Sequence, residues 1–246
     1  GETVPASWVD RSAFICSPTA HTVGRFDTYP AGSGWKSRNA LNLCASTDEW
    51  FCPVQASVGP DGAIWIADFS QFIILHNLPG NPERGLPKIE YGAGSAHLNP
   101  MRDYTHGRIW RLVSPREEPF QAPFGQSASV EKLIANIGHP NQFWRTAARR
   151  ILATKRLSEV TVPLLARIKG GNPLAVTESL RTFTALGGIP EPLQEEVFTA
   201  VLQSSHPEVL LAGLQALPKF SVGADLLLDS RLLEHHLPQV RRHALL

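Results

Sequence analysis

Polar and apolar positions alternate with a period of two through the first half of the chain. The runs are SAFIC (12–16), TVGRFDTY (22–29), PVQASV (53–58), GAIWIAD (62–68), FIILHN (72–77) and GRIWRLV (107–113). A period of two predicts β-strands, and the β-branched and aromatic content suits pleated, half-buried surfaces. Gly59-Pro60-Asp61-Gly62 concentrates turn formers between two such runs and predicts a hairpin. In the second strand of that hairpin Ala63, Trp65 and Ala67 share one face. Ile64, Ile66 and Asp68 share the other, so Asp68 ends the strand on the Ile64/Ile66 face. Residues 78–104 are long, rich in turn formers and without period, as functional loops often are.

Near residue 120 the period changes. HPNQFWRTAARRIL, GNPLAVTESLRTFTAL, HPEVLLAGLQAL and LPQVRRHALL each place a proline ahead of apolar positions at i, i+3, i+4 and i+7. Pro140, Pro173, Pro207 and Pro238 are spaced 33, 34 and 31 residues apart, and VEKLIANI, VPLLARI and EEVFTAVL precede the first three as partner helices. Proline is tolerated in the first helical turn because its missing N–H has no intrahelical acceptor there. A fixed spacing of paired helices predicts a HEAT-like α-solenoid. The expected fold class is therefore mixed, in two domains: β-propeller blades over 1–115, a linker at 116–126, and the solenoid over 127–246. Strands 53–58, 62–68, 72–77 and 107–113 would make one four-stranded blade. Too few strands are present to close a ring, which would leave sheet edges open.

Composition narrows the chemistry. A hydrophobic content of 43% in 246 residues supports a buried core, and a net charge of +1 gives no reason to expect nucleic acid or an anionic membrane surface as partner. No apolar run reaches membrane-span length, and the N-terminus, which starts with Gly, lacks a signal-peptide pattern; the expectation is a processed or excised segment. Cys16, Cys44 and Cys52 fit no zinc or CxxCH spacing; they read as small buried hydrophobes, with a Cys44–Cys52 disulfide as the alternative.

The run from RSAFICSPTAHTVGRFDTYP to VGPDGAIWIADF resembles the closing propeller blades of the membrane-bound dehydrogenases of planctomycetes and verrucomicrobia. RDYTHGRIWRLV looks like that family's propeller end, and HPNQFWRTAARRIL like its first HEAT repeat. The family's propeller is similar to quinoprotein glucose and sorbosone dehydrogenases. The resemblance implies an extracytoplasmic (periplasmic) oxidoreductase acting on a sugar or alcohol substrate. Pyrroloquinoline quinone and Ca²⁺ would be its cofactors, and a c-type haem domain outside this chain its electron acceptor.

Matched motif to motif, the resemblance makes His106, Asp48 and Asp68 catalytic candidates and Arg38, Arg102, Arg108 and Trp50 cofactor-binding candidates. Asp48 and Glu49 become metal-ligand candidates. Carboxylates can orient a base or hold a hard cation, arginine forks bind carboxylates bidentately, and histidine can accept a hydroxyl proton. Each has a structural alternative: a solvated loop acid or blade-to-blade hydrogen bond for Asp48 and Glu49, a core position for Trp50, an Arg102–Asp103 loop-anchoring network with His106 as a hydrogen-bonded structural residue. Two departures from the family pattern, Phe69-Ser70-Gln71 and Cys16-Ser17-Pro18-Thr19-Ala20-His21, put catalysis in doubt. The competing readings are a non-catalytic protein- or glycan-binding scaffold and a metal-dependent propeller lactonase. The basic clusters Arg145/Arg149/Arg150 and Arg241/Arg242/His243 read as solvated helix faces, and His235-His236 as a weak metal candidate.

Overall fold

The computed structural model describes residues 4–71, 83, 103, 105–113, 120–219 and 221–246. Among these residues, six strands form two antiparallel three-stranded sheets. The first joins β1 (Ser12–Ser17), β2 (Thr22–Ala31) and β3 (Gly34–Ala45) in chain order; the second joins β4 (Pro53–Val58), β5 (Ile64–Asp68) and β6 (Arg108–Leu112). β1 packs beside β4, and Val23, Phe51, Ile64 and Ile66 form the small core between the sheets. Burial alternates along β5 as its sequence predicts, with Ile64, Ile66 and Asp68 inside.

The turn between β4 and β5 holds itself together. Gly59 N–H donates to Ala63 O at 2.9 Å, and Gly62 adopts φ +79°. Asp61 Oδ1 accepts from Ala63 N–H at 3.1 Å and from the Trp65 indole at 2.9 Å, while its other oxygen pairs with Arg111 across the sheet. A Cβ on Gly59 would lie 2.3 Å from the Trp65 ring, so only glycine lets the indole close over the turn.

These sheets overturn the expected fold class. A meander blade would place strand 72–77 between 62–68 and 107–113, yet β5 pairs directly with β6 from Ile64↔Leu112 to Asp68↔Arg108. The place of an intervening strand is taken, and residues 72–77 lie outside the described residues. Among the described residues there is neither a four-stranded blade nor a closed ring. The expectation of propeller blades followed by a separate HEAT-like solenoid is corrected to a mixed α/β fold: among the described residues, two small sheets and eight α-helices. The physical reason is that a period of two specifies strands but not which of them become neighbours.

The helices are α1 (Val130–Asn136), α2 (Gln142–Leu152), α3 (Leu157–Gly170), α4 (Pro173–Ala185), α5 (Glu191–Leu202), α6 (Pro207–Ala216), α7 (Ser221–Ser230) and α8 (Pro238–Ala244). Pro173, Pro207 and Pro238 each open their helix; Pro140 instead precedes Asn141, the cap of α2. Even-numbered helices pack on one another in sequence, and so do the odd-numbered ones, enclosing a core that includes Leu133, Leu164, Leu180, Phe183 and Phe198. The loops entering α2 and α8 share one device. Arg145 donates to His139 O and Pro140 O, and Arg241 to His235 O and His236 O, while His139 and His235 each accept a backbone N–H two residues on through Nδ1. These basic residues are thus partly structural, and so is Arg149, which lies 2.8 Å from buried Glu178.

α5 and α6 cross closely enough that a Cβ on Gly213 would sit 2.4 Å from Val201 Cγ1. Gly213→Ala is therefore expected to destabilise by about 1–3 kcal/mol through overpacking, despite a helix-propensity gain of about 1 kcal/mol. Chemical denaturation measures this; an unchanged or higher midpoint would refute the close crossing.

Sheets and helices meet at the β4–β5 turn. Asn141, 1% exposed, donates through Nδ2 to Gly59 O at 3.0 Å and Pro60 O at 3.1 Å, and the Trp144 indole donates to Pro60 O at 2.8 Å. Phe120, Phe124 and Phe143 pack around Trp144. The stretch expected as a linker therefore supplies, at Phe124, a buried core residue.

Candidate functional site

Asp68 sits at the C-terminal end of β5 with its side chain fully buried. Oδ1 accepts from the backbone N–H groups of Cys52 (2.9 Å) and Ser70 (2.8 Å), and Oδ2 from Arg108 Nε (2.8 Å) and the Trp110 indole (2.7 Å). Burial alone would raise its pKa. Hydrogen bonds from Trp110, Ser70 and Cys52, with the Arg108 charge, outweigh this and hold it below the usual 3.8. Arg108 and Trp110 lie two apart on β6, so the pleat turns both toward one carboxylate, and the guanidinium lies 5.4 Å from the indole ring.

Arg108 Nη1 continues to Asp48 Oδ2 at 2.8 Å, while Asp48 Oδ1 accepts from Trp50 N–H at 2.9 Å. The Arg108 bond, then the Trp50 bond, lower the Asp48 pKa. Five sequence candidates come together here: Asp48, Asp68 and Arg108 directly, Trp50 through its backbone, and His106 nearby. His106 Nδ1 donates to Asp103 Oδ2 at 2.5 Å; Asp103 Oδ1 accepts from the N–H and hydroxyl of Thr105. Those Thr105 bonds, backbone first, and then His106 lower Asp103 to about 2. His106 is thus a hydrogen-bonded residue of its loop, while the Arg102 side of the expected network lies outside the described residues. Arg38 is elsewhere, on β3, 3.7 Å from Asp27. Glu49 is exposed. Arg102 lies outside the described residues, as does His76.

Above this knot is a cavity of about 400 Å³ walled by Asp68, Phe69, Gln71, His106, Arg108 and Ile109, among others. Two of the lining residues carry a polar atom that is buried without a hydrogen-bond partner: Arg108 at Nη2 and Gln71, 2% exposed, at Oε1. Sequence reasoning met Gln71 only within Phe69-Ser70-Gln71, as a departure from the family pattern, and did not name it a site residue.

The residues present do not fit the cofactors implied by the resemblance. Both Asp48 oxygens are engaged by Arg108 and Trp50 N–H, and a Ca²⁺ would have to displace them. Among the described residues no three His, Cys, Asp or Glu side chains converge as a metal cluster. The carboxylates of a quinone cofactor would compete with Asp48 and Asp68 for one guanidinium. Cys16, Cys44 and Cys52 are free thiols; burial, and then the Asp68 charge, push Cys52 up. No helix among the described residues is long and apolar enough to cross a membrane.

Comparison with known proteins adds a family without an assigned role. The domain of unknown function DUF7133 matches residues 1–116, a stretch that takes in all six strands and none of the α-helices. Demethylmenaquinone methyltransferase of Anoxybacillus flavithermus (strain DSM 21510 / WK1) is 29% identical over 96 residues, 39% of this chain and 40% of that protein. The enzymes of the same name from Geobacillus sp. (strain WCH70) and Geobacillus kaustophilus (strain HTA426) are 29% and 28% identical over 96 and 94 residues. Those two alignments cover 39% and 38% of this chain, and 41% and 40% of the relatives. The chain thus spans about 40% of the length of the curated relatives it matches. No solved structure matches it. With sheets that are not blades, the β-propeller expectation is overturned, and with it the quinoprotein label drawn from that architecture; the curated relatives are named as methyltransferases, not dehydrogenases.

Proposed function

We propose that the chain is a binding module whose cavity over the Asp68–Arg108 knot takes a neutral polyhydroxy ligand, a sugar or polyol. The observation that carries this reading is that two residues lining one cavity each hold an unpartnered polar atom: Arg108 Nη2 needs an acceptor, and Gln71 Oε1 needs a donor. Leaving either buried and unpaired is costly. Hydroxyl groups meet both needs because each can donate and accept. Charge selects against an acid: Asp48 and Asp68 share the single Arg108 guanidinium, so a further carboxylate meets net negative charge. The reading is non-catalytic because the acids are structural. Asp68 accepts four hydrogen bonds, and Asp48 and Asp103 are held by their own loops and by Arg108 or His106.

Calorimetric titration of the full chain with glucose, sorbitol and acetate tests it. Glucose or sorbitol is expected to bind and acetate not. Gln71→Leu, which removes the acceptor while keeping an apolar side chain of similar reach, is expected to weaken polyol binding at least about tenfold, one hydrogen bond's worth, without lowering the unfolding midpoint. Absence of polyol binding, equal binding of acetate, or undiminished binding by Gln71→Leu would refute the reading.

A further inference from the structure

A second concavity, of about 640 Å³, lies on the other sheet, where the N-terminal turn meets the β2–β3 hairpin. Its wall carries three aromatic side chains, Trp8, Tyr29 and Trp35, together with Asp10, Arg25 and Asp27. Trp35 is 65% and Tyr29 46% exposed, so both present ring area to solvent within the groove. At its base Arg25 is held in place. Its guanidinium lies 4.6 Å from the Trp8 ring centroid, and Nη1 donates to Ser12 Oγ at 3.0 Å and Asp27 Oδ1 at 2.6 Å. The Arg25 side chain is only 10% exposed, and its Nε–H is buried without an acceptor. The hairpin tip is fixed from the far end of the chain: Gln239 and Arg242 of α8 reach the carbonyls of Gly34 and Ser33 at 3.5 Å. The platform beside Trp35 is therefore built before any ligand arrives, which lowers the entropy cost of binding.

From this geometry we infer that the groove is a binding site for a neutral oligosaccharide. Flat, exposed indole and phenol rings stack against the C–H-rich faces of pyranose rings. Asp27 and Arg25 side by side offer acceptor and donor to neighbouring hydroxyls, each of which can donate and accept. The lining charges balance, Asp10 and Asp27 against Arg11 and Arg25, with Arg38 at the edge 3.7 Å from Asp27, so no strong field favours a polyanion or a polycation. A proline-rich peptide also suits aromatic grooves, but its prolines have no N–H to offer the two carboxylates. Hydroxyls satisfy both signs of hydrogen-bonding group in this groove. The site shares no residue with the Asp68–Arg108 cavity and stands or falls separately from it.

The test is intrinsic tryptophan fluorescence and calorimetry of the full chain. The probes are hexasaccharides of glucose (β-1,4 and α-1,4), mannose and xylose, a decaproline peptide, and a hexamer of galacturonic acid. At least one neutral hexasaccharide is expected to bind with a shift in tryptophan emission. Trp35→Ala, at a side chain exposed enough to leave the fold intact, is expected to weaken it at least about tenfold. Gln71→Leu is expected to leave the tryptophan-emission shift on hexasaccharide binding, the part that depends on Trp35, unchanged, which separates this groove from the other cavity. The inference is overturned if no neutral hexasaccharide binds, or if Trp35→Ala binds as the parent does. It is equally overturned if decaproline or the galacturonic acid hexamer binds through Trp35 more tightly than every neutral probe.

Discussion

Asp68→Ala is expected to lower the unfolding free energy by about 3 kcal/mol, the lower end of the range for removing one partner of a buried ion pair. Four donors converge on that carboxylate: two backbone N–H groups, an indole and a guanidinium. Alanine strands all four. The loss stays at the lower end because Arg108 is 30% exposed and keeps Asp48 as a second partner. Asp68→Asn should be nearly as damaging, since an amide facing Arg108 and Trp110 sets donors against donors. The pH dependence follows from the depressed pKa of Asp68. Its stabilising contribution is fully present above the unfolded-state value near 3.8 and is lost as pH falls through the lower folded value. Urea denaturation of parent and variant between pH 2 and 7 measures both effects. A loss under about 1 kcal/mol at pH 7, or a difference that does not shrink toward acid, would show that Asp68 is not the clasp of this sheet.

Asn141→Ala should cost about 2–4 kcal/mol. The side chain caps α2 by accepting from Phe143 N–H at 2.9 Å, a contribution of about 1 kcal/mol. It also satisfies two carbonyls in the β4–β5 turn, and leaving a buried one unpaired costs about 1–3 kcal/mol. Asn141→Asp separates the two roles: it keeps the capping oxygen and loses the donors. Amide hydrogen exchange should then report lost protection in the β4–β5 turn with the first turn of α2 intact. Equal loss in both places, or in neither, would contradict the division of labour between Oδ1 and Nδ2.

Several elements were legible because their causes are local. Pro53–Val58 is both the expected and the observed strand, and the alternation of Ile64, Ile66 and Asp68 survives as burial. Pro173, Pro207 and Pro238 open helices because ring geometry and the missing N–H act on the residue itself. The site was legible in part. Asp48, Asp68 and Arg108 do meet, but as a mutually satisfying knot, and nothing in their spacing distinguishes a carboxylate awaiting a proton from one already accepting four hydrogen bonds. Gln71, Trp8, Arg25 and Trp35 carried no motif. Their significance lies in what surrounds them, and a partnerless buried atom exists only once every other atom has a place.

The amino-acid order on its own determined where the backbone extends, where it coils and where it turns, since those outcomes depend on residues within a few positions of one another. Tertiary structure alone decided that β6 lies against β5 across 40 residues of chain. It alone closed the Gly59–Gly62 turn under Asn141 and Trp144, some 80 residues away. Such pairings are chosen by competition among all strands and faces for burial and hydrogen bonds. That competition has no local signature, because its outcome belongs to the whole folded chain.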